Sequence, residues 1–163
     1  MIVDPMRLES HILERLRSVS PATVSIGTAS DVRAKIARVR QDVSFQALDQ
    51  ERWTPGIAVY DPDDEWGGLV CFLGDIPPFM HGRPADVDDD LEEFLKALCW
   101  KLDEPADAIT EESSEAWPDR SFSEPHAQVS DGELRVWWGS LEQPRLKLSP
   151  IPVNALLPRS KSD

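Results

Sequence analysis

The stretch from Gly56 to Asp75, GIAVYDPDDEWGGLVCFLGD, constrains the fold more than any other part of this sequence. Two short apolar runs flank one compact cluster of turn residues, and that pattern predicts a β-hairpin. Ile57, Val59 and Tyr60 lie on one arm and Leu69 to Leu73 on the other. Asp61-Pro62-Asp63-Asp64 and Gly67-Gly68 supply the turn chemistry between them. The second arm is apolar at consecutive positions, so both of its faces are expected to be covered.

Around this centre the chain alternates helical and strand patterns. Asp4-Pro5 opens a helix over about 5–19, with Leu8, Ile12, Leu16 and Val19 at helical spacing, and Ser20-Pro21 closes it. Ala22 to Thr28 reads as a short strand, and Val32, Ile36, Val39 and Val43 mark a second helix from Asp31. The proline-rich run from Ile76 to Pro84 reads as a loop. A helix over 88–102 follows, with Leu91, Phe94, Leu95, Leu98 and Leu102 on one face. Residues 103–125 are acidic and contain Ser and Pro, which predicts a long connection with at most one short helix. The C-terminal part carries a second hairpin around Asp131-Gly132, the pair favoured in two-residue type I′ turns. A further strand is expected at Arg145–Leu148, beyond which Pro150, Pro152 and Pro158 should stop regular pairing. The expectation is an α+β fold: one domain over residues 1–158, its antiparallel sheet built from the central and C-terminal hairpins and covered by two or three helices, with residues 159–163 a frayed tail.

Charge is distributed unevenly. The formal net charge is -13, and residues 61–133 carry 21 acids against four bases (-17), while residues 1–60 carry seven acids and eight bases (+1) and residues 134–163 two acids and five bases (+3). A negative field over the middle of the chain repels phosphate backbones and attracts basic proteins, so a nucleic-acid partner is not expected. The sequence has no apolar run approaching the ~18 residues of a membrane span and no secretory leader pattern at its start. Cys71 and Cys99 both sit in apolar segments and show no metal-type spacing. A reducing, cytoplasmic setting without a membrane partner is therefore expected.

The chemistry-bearing residues give little support to catalysis. Asp61, Asp63 and Glu65 alternate in the hairpin turn, but a calcium loop starting at Asp61 would need glycine where Trp66 stands and glutamate where Phe72 stands. No metal and no cofactor are expected. His11, His81 and His126 stand in no motif with Ser or Cys, and the run from Asp86 to Glu93 is explained by the preference of a helix start for negative charge. No phosphate-binding or nucleophile-elbow motif is present.

The function read from these features is a non-enzymatic, cytoplasmic protein-binding module of the immunity-protein, antitoxin or inhibitor type. Its expected contact surface comprises Asp61, Asp63, Asp64, Glu65 and Trp66 with Asp88, Asp89 and Asp90, acting on a basic protein partner. A small carboxylate- or His-dependent hydrolase, and a structural or assembly subunit of a phage-like or other complex, are the alternative readings.

Overall fold

The computed structural model describes residues 3–28, 30–31, 56–61, 63, 69–71, 91–119 and 123–159. Among these residues the secondary structure is α+β: two helices, α1 (Pro5–Val19) and α2 (Leu91–Ser113), and two antiparallel sheets. The first sheet has the order β1 (Ser25–Gly27), β2 (Ile57–Tyr60), β3 (Leu69–Cys71). The second is centred on β5 (Glu133–Gly139), which pairs with β4 (Pro125–Ser130) on one edge. On its other edge β5 pairs with β6 (Pro144–Lys147) and β7 (Ile151–Pro152) in succession. Both expected hairpins form, but they belong to separate sheets.

α1 starts and stops where the sequence predicts. The Asp4 carboxylate accepts from the N–H of Met6 at 2.9 Å and of Arg7 at 3.4 Å, and Pro5 occupies the first turn, where no N–H is needed. At the other end the Ser20 N–H and hydroxyl both donate to the Leu16 carbonyl. Leu8, Ile12, Leu13 and Leu16 face the core. The arginines of α1 are tied down as well. Arg7 donates to the Leu157 carbonyl at 2.8 Å, Arg15 to the Ser149 and Pro150 carbonyls at 2.6 and 2.9 Å, and Arg17 to the Ile26 carbonyl at 2.8 Å. Main-chain acceptors in the C-terminal segment and β1 are thus satisfied by side chains of one helix.

α2 corrects the expectation that a connection begins at residue 103. It begins, among the described residues, at Leu91, and it runs to Ser113, so the first half of the stretch expected to be a connection is helix. The core face continues at helical intervals from Phe94, Leu98 and Leu102 to Ala106 and Ile109, and burial of that stripe outweighs the N–H missing at Pro105. Proline and acidic composition suggested a loop, whereas the spacing of a few apolar residues carried the helix. α2 packs against β2 and β3 of the first sheet and against β4 of the second, so it bridges both.

In the second sheet, Asp131 and Gly132 adopt φ of 54° and 74°, the left-handed pair of a type I′ turn. A bulge at Trp138/Gly139 lets β6 follow β5. Gly139 has φ 90°, and a Cβ there would lie 3.0 Å from the Arg145 main-chain nitrogen. The prolines after Leu148 do not end pairing as expected. Ile151–Pro152 bridges Leu134 and Glu133, and a 3-10 turn (Val153–Leu156) follows. Leu134, Val136 and Trp138 of β5 join α1, β1, β2 and α2 in one contiguous apolar cluster.

The helix expected from Asp31 and the loop expected over 76–84 lie outside the described residues. At their near edge, the Asp31 carboxylate accepts from the Thr28 N–H at 2.6 Å and lies where a Cβ on Gly27 would clash.

Candidate functional site

Of the expected contact residues, Asp61 and Asp63 fall among those described. The Asp61 carboxylate accepts from the Asp63 N–H at 2.8 Å, the local bond that aspartate makes in turns, and Asp63 is exposed. Asp64, Glu65, Trp66, Asp88, Asp89 and Asp90 lie outside the described residues. Among the described residues no group of three or more His, Cys, Asp and Glu is placed to hold a metal ion, and no helix is long and apolar enough to cross a membrane.

Of the candidate nucleophiles and bases, Cys99, His11 and His126 fall among the residues whose side chains are described, and His81 lies outside them. Cys99 is a free, half-buried thiol, and burial pushes its pKa above the usual value, which favours the protonated, unreactive form. His11 Nδ1 lies 3.3 Å from Arg15 Nη1, one helical turn away. The His126 ring stacks on Trp137 with centroids 5.6 Å apart.

A coherent polar surface does emerge on the outward side of α2. Because Phe94, Leu98, Leu102, Ala106 and Ile109 turn inward, Glu92 and then Glu93, Lys96, Trp100, Asp103, Asp107 and Glu111 are left in solvent. From Glu93 onward successive members are three or four residues apart and therefore form one stripe along the helix. Trp100 stands in it with 66% of its surface exposed, and Lys101 Nζ lies 5.2 Å from its ring centroid.

Charge on this stripe is only partly compensated. Lys96 pairs with Glu92 at 2.6 Å, and Lys101 with Glu104 at 3.2 Å. Their mutual attraction holds the exposed Glu92 carboxyl below its usual pKa and Lys96 above it. Asp103, Asp107 and Glu111 make no ion pair among the described residues. The Asp103 pKa is raised, chiefly by partial desolvation and further by the negative charges of Asp107 and Glu124. Like charges that raise one another's pKa are relieved when a cation approaches.

In the sequence Trp100 falls beside the apolar face of the helix instead of at its centre, outside the expected contact residues, and the structure leaves it in solvent. The acidic, proline-containing composition of residues 103–113 predicts a connection and gives these acids no common face, whereas helical phase aligns them with the indole. Compared with known protein families, curated proteins and solved structures, the chain has no match.

Proposed function

We propose that this chain is a single-domain, non-enzymatic cytoplasmic protein that docks an acidic, tryptophan-bearing face on a basic protein partner, in the manner of an immunity protein, antitoxin or inhibitor. The observation that carries the reading is Trp100, exposed on α2 on the same stripe as Asp103, Asp107 and Glu111, three acids that have no ion-pair partner among the described residues. A tryptophan side chain can bury ~150–250 Å2, so covering the 66% left in solvent is worth about 2.5–4 kcal/mol at ~25 cal/mol per Å2. Acids beside such an anchor favour a cationic partner and disfavour an anionic one. Asp88, Asp89 and Asp90 directly precede α2 in the chain, and with Asp61, Asp63, Asp64, Glu65 and Trp66 they belong to the same proposed acidic surface.

The test is affinity capture from native lysate with the wild type and with Trp100→Ala. The expected result is a stoichiometric basic protein retained by the wild type and lost by the variant. Equal retention by both, or a partner of acidic character, overturns the reading.

A further inference from the structure

The stripe on the outward side of α2 constrains the shape of its partner as well as the sign of its charge. Steps of three or four residues carry it from Glu93 to Glu111 at a mean of ~3.6 residues per step, the period of the helix itself. It therefore runs parallel to the helix axis for about 27 Å instead of winding around it. The helix carries seven acids and two bases (-5), and both bases are engaged, Lys96 by Glu92 and Lys101 by Glu104. Asp103, Asp107 and Glu111 are exposed and have no ion pair among the described residues, so the C-terminal half of the stripe keeps its negative charge. The Asp103 carboxyl, lifted above its ordinary pKa chiefly by partial burial, also feels Asp107 and Glu124. A fourth acid, from the segment before β4, thus borders the stripe.

The C-terminal end of α2 is electrostatically unrelieved. Its last turn holds Glu111 and Glu112 and no base, where the helix dipole already places about half a negative charge. Trp100, by contrast, has the Lys101 ammonium 5.2 Å from its ring centroid and most of its surface in solvent, so it calls for apolar cover more than for a second cation. Asp103, Asp107 and Glu111 recur every four residues, about 6 Å along the axis. A second helix laid beside α2 repeats its own i, i+4 and i+8 positions with the same rise, so the pairs stay in register. An extended chain repeats every ~6.8 Å and drifts by about 1.6 Å over the three acids. It also offers only alternate side chains to the indole, whereas a facing helix surrounds a projecting residue with four.

We propose, on the premise that this face is the docking surface, that it receives an α-helical basic segment lying antiparallel to α2. Lys or Arg at i, i+4 and i+8 of that segment pair with Glu111, Asp107 and Asp103, and leucine-type side chains one turn further on cover Trp100. The antiparallel sense brings the positive N-terminus of the segment to the uncompensated end of α2.

The probe is an Ala- and Gln-based peptide of about 20 residues with Lys at i, i+4 and i+8 and Leu at i+11 and i+15. It is titrated into the isotope-labelled full chain at ~0.15 M salt, where a Debye length of about 8 Å leaves facing side chains in contact range. Saturable shifts are expected for the Trp100 indole N–H, identified by its loss in Trp100→Phe, and for the main-chain amides of residues 103–111. Binding should weaken at least ~10-fold when Asp103→Lys and Asp107→Lys are combined, and persist in Asp107→Glu. Both positions are exposed, and circular dichroism verifies that the variants fold. A peptide of the same composition with its lysines spread around the helix should bind at least ~5-fold more weakly, and one with the pattern reversed should also lose affinity. Equal binding of the dispersed peptide, or of one interrupted by a central proline, overturns the helical segment while a basic partner still stands. Equal binding of the reversed peptide overturns the antiparallel sense. Absence of saturation up to ~2 mM overturns the proposal, and Trp100-dependent capture from lysate then decides separately whether the docking face stands. Equal binding of a peptide with Glu in place of Lys removes the acidic docking face altogether.

Discussion

Trp117 packs edge-on against Trp138, with ring centroids 5.1 Å apart and planes inclined at 65°. The contact joins the residues after α2 to the central strand of the second sheet. Trp117 Nε1 donates to the Val19 carbonyl at the end of α1 at 3.3 Å, and the Trp117 N–H and C=O both bond the Thr110 hydroxyl. Trp117→Ala should therefore cost about 3–5 kcal/mol, the scale for deleting a buried aromatic, and Trp117→Phe clearly less. Guanidinium denaturation measures both. Followed by far-ultraviolet circular dichroism and by tryptophan fluorescence, the wild-type transition should coincide, as one cooperative domain requires.

Glu9 is the buried charged residue of α1, 3% exposed, and its Oε2 accepts from the Gly56 N–H at 2.9 Å. Gly56 has φ 53°, a region that other residues enter only with strain. Glu9→Ala leaves that N–H unsatisfied and should destabilise the fold by at least ~1–3 kcal/mol, with Glu9→Gln restoring part of the loss. Gly56→Ala should cost about 1–2 kcal/mol. An effect of either alanine variant below about 0.5 kcal/mol would show that this junction does not hold α1 to β2.

Asp103 ties surface charge to pH. Its folded-state pKa lies above its ordinary value of 3.8, so the folded form holds the proton more tightly than the unfolded one. The resulting penalty is full above the folded pKa, shrinks as pH falls through the window between the two values, and vanishes below 3.8. Asp103→Asn should thus be slightly more stable than the wild type at pH ~7, by less than about 0.5 kcal/mol, and the advantage should disappear at pH ~3. Urea denaturation at the two pH values gives the comparison.

For partner binding, raising salt from about 0.05 to 0.5 M should slow association at least ~10-fold while changing dissociation less. Asp103→Asn combined with Asp107→Asn should slow association, and Trp100→Ala should speed dissociation, because an aromatic anchor acts after encounter. Surface plasmon resonance with the captured partner separates the two rates. Salt-independent association by all three proteins would leave the acids as a solubility device.

The sequence by itself determined the elements whose signals are local. Asp4-Pro5 and Ser20-Pro21 bounded α1, Asp131-Gly132 set the type I′ turn, and alternation in β5 separated Leu134, Val136 and Trp138 from Arg135 and Trp137. These features depend on main-chain geometry and residue period, which a few neighbouring residues specify. Tertiary structure decided the rest. Pro105 and the acids around it argued against helix, and only packing of Ala106 and Ile109 into the core carried α2 to Ser113. That extension brings Asp103, Asp107 and Glu111 into phase with Trp100. The assignment of the two hairpins to different sheets, the reach of Arg15 to Ser149 and Pro150, and the placement of Lys147 beside Trp137 likewise join residues far apart in the chain. Composition and periodicity carry no information on which distant acceptor a side chain meets, because that choice is made by the packing of the whole core.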